Sequence, residues 1–270
     1  MKADAASQGM TTPAATPMLV VEGLSKNFGG VRAVDKVAFQ VNRGEIVGLI
    51  GPNGAGKTTT FNLISGRFTP SSGSVLMNGQ TVLGRRPDQI AALGIARTFQ
   101  GTRIFPKLTV AENVQIAALA GAKLGFWADW LGLSAARKVE TEASRRAEEV
   151  LQWIGLEEHA DTVSGSLAYA HQSLLGMAIA LALRPQLLLL DEPFAGMNPG
   201  ETQRASDMVQ RIRNDGVTVV LVEHDVPAVM RVCDRIVVLD QGAKIAEGTP
   251  AQIAVNERVV EAYLGVDTDA

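Results

Sequence analysis

Nine consecutive residues, Gly51-Pro52-Asn53-Gly54-Ala55-Gly56-Lys57-Thr58-Thr59, have the types and spacing needed to hold a nucleoside triphosphate. They fill every position of the phosphate-loop pattern G-x-x-x-x-G-K-[ST]. Small residues let successive backbone N–H groups curl around phosphate oxygens, and a helix starting at the loop turns its positive end toward the same anion. Lys57 would neutralise the outer phosphates. Thr58 would offer its hydroxyl to a bridging Mg²⁺, a hard cation that prefers oxygen ligands.

A second constellation lies far along the chain. Asp191-Glu192 follows the four-leucine run Leu187–Leu190, and His224 follows the apolar run Val217–Val222. A carboxylate at Asp191 would hold the metal through water, and Glu192 beside it would take a proton from an attacking water. Both runs read as strands buried on two faces of a parallel sheet, whose ligands gather beyond the carboxyl ends of the strands.

Other elements must bring these groups together. Glu45–Ile50 reads as a short apolar strand before the loop and Thr60–Ile64 as a helix after it. Leu19–Leu24 and Val37–Val41 read as strands of an antiparallel layer, with Phe28 in the turn Asn27–Gly30 between them. Ser74–Met77 is an expected strand closed by the hairpin pair Asn78-Gly79, and Ile95–Phe99 a strand ending at Gln100. From about 101 to 183 the pattern turns helical, with a capping box at Thr109 and Glu112 and a charged amphipathic helix over Arg137–Ile154. Strand and helix then alternate to the end. The fold class expected is α/β: a mainly parallel sheet core, an antiparallel β subdomain and an inserted α-helical subdomain.

Composition narrows the function classes. The chain has 270 residues, 46% of them hydrophobic and 20% charged, enough for one large domain with a subdomain. A formal net charge of −3 gives no general basis for nucleic-acid binding. The single cysteine, Cys233, allows no internal disulfide and reads as a core residue. His159, His171 and His224 lack zinc-ligand spacing. Residues 1–17 read as a disordered tail with no apolar segment of the secretory type, and 18–270 as the folded domain. Trp127 and Trp130 are read as subdomain packing.

These motifs, in this order from Met18 to Gly265, resemble the ATP-binding subunit of an ABC transporter, a P-loop NTPase. The resemblance implies ATP and Mg²⁺ as cofactors. It makes Gly51–Thr59 the Walker A loop, Asp191 and Glu192 Walker B with the catalytic base, and His224 the switch histidine. Asn53, Gly54, Ala55, Gly56, Lys57, Thr58 and Thr59 then contact the nucleotide, with Phe28 stacking on adenine. Gln100 matches the Q-loop glutamine and would join Thr58 and Asp191 around the metal. Ala195–Asn198 occupies the D-loop. More narrowly, Arg97–Gln100, Leu108–Val114, Glu223–Asp225 and Glu261–Gly265 resemble the branched-chain (hydrophobic) amino acid importers. There, two related ATPases on the inner face of the cell membrane drive two permeases served by a periplasmic binding protein. Urea, amides or aromatic acids stay open as cargo.

One motif departs from the family. Its signature, Leu-Ser-Gly-Gly-Gln, reads here Leu167-Ala168-Tyr169-Ala170-His171. Ala168 lacks the hydroxyl that would reach the γ-phosphate held by the opposite subunit. Ala170 would be strained if its position needs a positive φ. A heterodimer with one sound site and a dimer in which both sites work are equally compatible with these residues. A soluble ABC ATPase and a non-hydrolysing subunit are the competing readings; intact Glu192 and His224 weigh against the latter.

Overall fold

The computed structural model describes residues 17–98, 104–121 and 133–264. Two sheets organise it. The first carries, in spatial order β2-β1-β4-β5, the antiparallel strands β1 (Leu19–Phe28), β2 (Val31–Val41), β4 (Ser72–Met77) and β5 (Gln80–Thr81). The second runs β10-β9-β3-β8-β7-β6, from β3 (Ile46–Ile50), β6 (Ile95–Arg97), β7 (Leu187–Asp191), β8 (Thr218–Val222), β9 (Arg235–Asp240) and β10 (Ala243–Gly248). It is parallel except at β10, which pairs antiparallel with β9.

Every residue of β3, β7 and β8 is buried. The reason is visible in how alternate positions sort. Ile46, Ile50, Leu188, Leu190, Val219 and Leu221 join one apolar cluster, whereas Val47, Leu49, Leu187, Leu189, Val220 and Val222 join another on the opposite face. A strand covered on both faces needs apolar side chains at every position, so the continuous runs in the sequence are the signature of this sandwiching.

One face is covered by α1 (Lys57–Ile64), through Phe61, Leu63 and Ile64, and by the antiparallel sheet. Helices cover the other: α3 (Val110–Gly121), α4 (Leu133–Ile154), α5 (Tyr169–Ala182), α6 (Pro199–Asn214) and α7 (Val226–Val232). The remaining α-helices among the described residues are α2 (Pro87–Ala92), α8 (Pro250–Ala254) and α9 (Glu257–Leu264). In the chain, α3, α4 and α5 all fall between β6 and β7. Helix α4 buries Ala143, Ala147, Val150, Leu151 and Ile154, with Val139 only half-buried. The expected capping box forms: Thr109 N–H donates to Glu112 at 2.7 Å, and Glu112 N–H to Thr109 Oγ1 at 3.1 Å. Among the described residues no helix is long and apolar enough to cross a membrane.

The first hairpin departs from expectation. Phe28 is the last residue of β1 and not a turn residue, because β1 and β2 extend well past their apolar halves and leave only Gly29-Gly30 between them. Register shifts after Val21, Leu24 and Lys26 break the two-residue alternation, and the outer half is largely exposed. Trp127, Trp130 and Gln100 lie outside the described residues.

Candidate functional site

The phosphate loop connects the carboxyl end of β3 to α1, where strand, loop and helix order places it. Two of its glycines have no substitute. Gly51 has φ +150°, and a Cβ there would lie 2.0 Å from Leu239 O; Gly56 has φ +91°, and its Cβ would lie 2.4 Å from Ala33 O. Gly56 is also the N-cap of α1 and provides no side-chain cap. The first N–H groups of that helix therefore keep their hydrogen-bonding capacity for an anion. Asn53, Gly54 and Thr58 are exposed, Thr59 is half-buried and Ala55 is buried.

Lys57 is almost fully buried, and its ammonium donates to Gly51 O at 2.7 Å and Pro52 O at 3.0 Å. Burial pushes its pKa below the ordinary lysine value, while the charge of Glu192 opposes that shift. The two sequence-distant motifs thus meet electrostatically.

Asp191 ends β7 and is held from two sides. Its N–H donates to Thr98 Oγ1 at 3.1 Å, and its Oδ2 accepts from Arg97 Nη2 at 2.7 Å. The Arg97 guanidinium also donates to Asn62 Oδ1 (2.6 Å) and Ser65 Oγ (2.7 Å) at the end of α1, and lies 4.8 Å from the centre of the Phe61 ring. Asp191 Oδ1 is buried without a hydrogen-bond partner. An orphaned carboxylate oxygen at this depth calls for a partner, and an oxygen-seeking cation or its water fits that need.

Glu192 follows directly with φ +50°, a left-handed backbone uncommon outside glycine. That backbone turns its side chain to His224, whose Nε2 lies 2.8 Å from Glu192 Oε1. Glu192 N–H donates to Val222 O at 2.9 Å, fixing the turn to the end of β8. His224 is about half exposed (48%) and Glu192 mostly covered (15%).

Phe28 stands at the hairpin tip, 44% exposed, edge-on to Phe68 at 5.6 Å, with Lys26 Nζ 5.1 Å from its ring. An exposed aromatic face is available there. The same hairpin reaches the phosphate loop through the close approach of Ala33 O to Gly56.

The altered signature opens α5. Ala168 is its N-cap (φ −58°, ψ 150°) with no side-chain cap, and Tyr169 begins the helix with its ring beside Gly196. Ala170 lies in the first turn and has no positive φ, so the strain argued for alanine at this position does not arise. A helical residue has no need of glycine. The ring of His171 packs against His159 at 4.6 Å, and Ser173 Oγ donates to Pro193 O at 2.8 Å, tying this helix to the Asp191–Glu192 loop of the same chain.

Two residues of this site carry more than their sequence context indicated. In the sequence, Arg97 opens the stretch Arg97–Gln100 and Glu223 the stretch Glu223–Asp225, each read only as part of a family motif. Neither spacing revealed what each one holds.

Known proteins resemble this chain over most of its length. The ABC transporter family matches residues 34–195, and the branched-chain amino acid ATP-binding cassette transporter family matches residues 243–269. The high-affinity branched-chain amino acid transport ATP-binding protein LivG of Escherichia coli (strain K12) is 43% identical over 250 residues, covering 92% of this chain and 98% of its own length. BraF of Pseudomonas aeruginosa, with the same description, is 42% identical at the same coverage. The ADP conformation of MJ1267, an ATP-binding cassette of an ABC transporter, superposes with a TM-score of 0.82 at 29% identity, over 93% of this chain and all of that one. The dimeric cassette MJ0796 does so with 0.74 at 26% identity, over 86% and 99%. The chain belongs to the ATP-binding subunits of ABC transporters, in the branched-chain amino acid group, and is an ATPase.

Proposed function

We propose that this ATPase powers import of branched-chain or related amino acids from the inner face of the cell membrane. It would work beside two permease subunits, a second ATPase chain and, indirectly, a periplasmic binding protein. The cargo reading rests on the LivG and BraF relatives and on the match over 243–269. In the chemical assignment, Glu192 is the general base for the attacking water. His224 orients it and reaches the γ-phosphate. Lys57, with Asn53–Gly56 and Thr59, holds the phosphates, and Phe28 takes the adenine. Thr58, Asp191 and Gln100 are the expected Mg²⁺ ligands, direct or through water; Mg²⁺ when bound neutralises charge developing between the outer phosphates.

The observation that carries this assignment is the Glu192–His224 pair at 2.8 Å, on a left-handed backbone immediately after Asp191. A carboxylate restrained by an imidazole has a fixed direction, which proton transfer requires. The test is Glu192→Gln. Nucleotide binding should survive and steady-state hydrolysis should fall by ~10²-fold or more; hydrolysis at the unmodified rate would remove Glu192 from the role.

The helical conformation of Ala170 favours a dimer in which both sites operate, since its methyl introduces no backbone strain. The missing hydroxyl at Ala168 is the remaining argument for one weaker site. Comparing hydrolysis by this chain alone with a 1:1 mixture with its paralogue decides between them.

A further inference from the structure

Beneath the Glu192–His224 pair lies a second carboxylate. Glu223 is 3% exposed, and its Oε1 accepts the Phe194 N–H at 2.6 Å. Its Oε2 accepts the N–H of His224 at 2.9 Å and, more weakly, that of Asp225 at 3.5 Å. Phe194 stands two residues after Glu192, in a turn closed by Ala195 N–H donating to Glu192 O at 3.2 Å. One side chain therefore fastens the turn that bears the base to the loop that bears the histidine. The two loops are otherwise 31 residues apart in the chain between Glu192 and Glu223.

Fold stability does not account for this choice of residue. A carboxylate loses much of its hydration on burial, and Glu223 forms no ion pair among the described residues. Its compensation consists of backbone N–H groups, all from these two loops. A neutral or apolar residue of similar size would be the less demanding occupant of a buried site. What a carboxylate supplies is two acceptor oxygens aimed at donors on two different segments, with no donor of its own.

We infer that Glu223 is a positioning residue for hydrolysis, setting the distance and orientation of Glu192 relative to His224 by holding both of their loops. The inference rests on the reading of Glu192 as the base. It is also specific about chemistry: glutamine keeps the shape but presents an NH₂ group to one of the two loops, where an N–H already points inward. One of the two attachments is then lost.

The experiment measures kcat, KM for ATP and unfolding temperature of the full chain carrying Glu223→Gln, with Glu192→Gln alongside. The expected result is a kcat reduced at least tenfold, with KM within twofold and the unfolding temperature retained. An unchanged kcat overturns the inference. So does a rise in KM or a fall in unfolding temperature that accounts for the lost rate, because Glu223 is then structural. If Glu223→Gln does not fold, Glu223→Thr, which buries no charge and accepts at only one oxygen, is read by the same criteria. A dead Glu192→Gln beside a fully active Glu223→Gln sinks the positioning role alone; a fully active Glu192→Gln sinks the base and this inference with it.

Discussion

Arg97 and Asp191 form an ion pair at 2.7 Å with side chains only 8% and 2% exposed, and it joins the strand leading toward Gln100 to the strand ending at the nucleotide site. Breaking a buried pair from one side leaves the other charge uncompensated. Arg97→Ala should therefore destabilise the chain by about 3–5 kcal/mol, since Asn62 and Ser65 lose their partner too. Thermal unfolding checks this, with a fall of roughly 10 °C expected for a chain of this size. Arg97→Lys should recover only part of the loss, because an ammonium cannot reproduce three directed contacts from one planar group.

Lys57 gives a prediction with the opposite sign for stability and function. Burial lowers its pKa, so the folded chain binds this proton less tightly than the unfolded chain does. Stability should rise with pH between the lowered folded value and the ordinary lysine value of about 10.4. Lys57→Met should abolish that rise and retain or increase stability without nucleotide, while ATP binding is lost. Denaturant midpoints across alkaline pH, and titration with a fluorescent nucleotide, test the two halves separately.

For Glu223 the linkage runs the other way. Burial is the leading cause of its raised pKa, opposed by its three backbone donors, so the folded state holds the proton more tightly. Its contribution should lower stability as pH rises from the ordinary glutamate value of about 4.3 through the raised folded value. Glu223→Thr should flatten stability across that window. An unchanged slope between the two proteins would contradict the assignment.

At Ala170 the prediction concerns what reversion fails to do. In the first turn of α5 a glycine has more conformational entropy to lose than alanine. Ala170→Gly should lower stability by up to about 1 kcal/mol and relieve nothing. ATP hydrolysis by Ala170→Gly should stay within about threefold of the parent; a tenfold gain would show that the methyl obstructs the phosphate held across the dimer.

Much of this site was legible because its parts are local. A phosphate loop is one uninterrupted run whose glycines answer to φ and close approach, and the buried strands announced themselves by losing alternation. The chain direction of β7 and β8 then placed Asp191, Glu192 and His224 at one edge. What the sequence left out is pairwise and long-range. Nothing at Arg97 names Asp191, 94 residues away, and nothing at Glu223 names Phe194. The φ of Ala170 was undecided because a signature position reads the same whether it ends a loop or begins a helix. Phe28 was misplaced by the bulges that shift register in β1, which periodicity cannot anticipate.

The left-handed backbone at Glu192 has a consequence for how this chain can change. A side chain there costs of the order of 1–2 kcal/mol relative to glycine, so the residue that best suits the backbone is one that cannot take a proton. On the proposed reading of Glu192 as the base, glycine at this position would give a sturdier protein that binds ATP without hydrolysing it. Under that reading, backbone stability and turnover pull this one position in opposite directions.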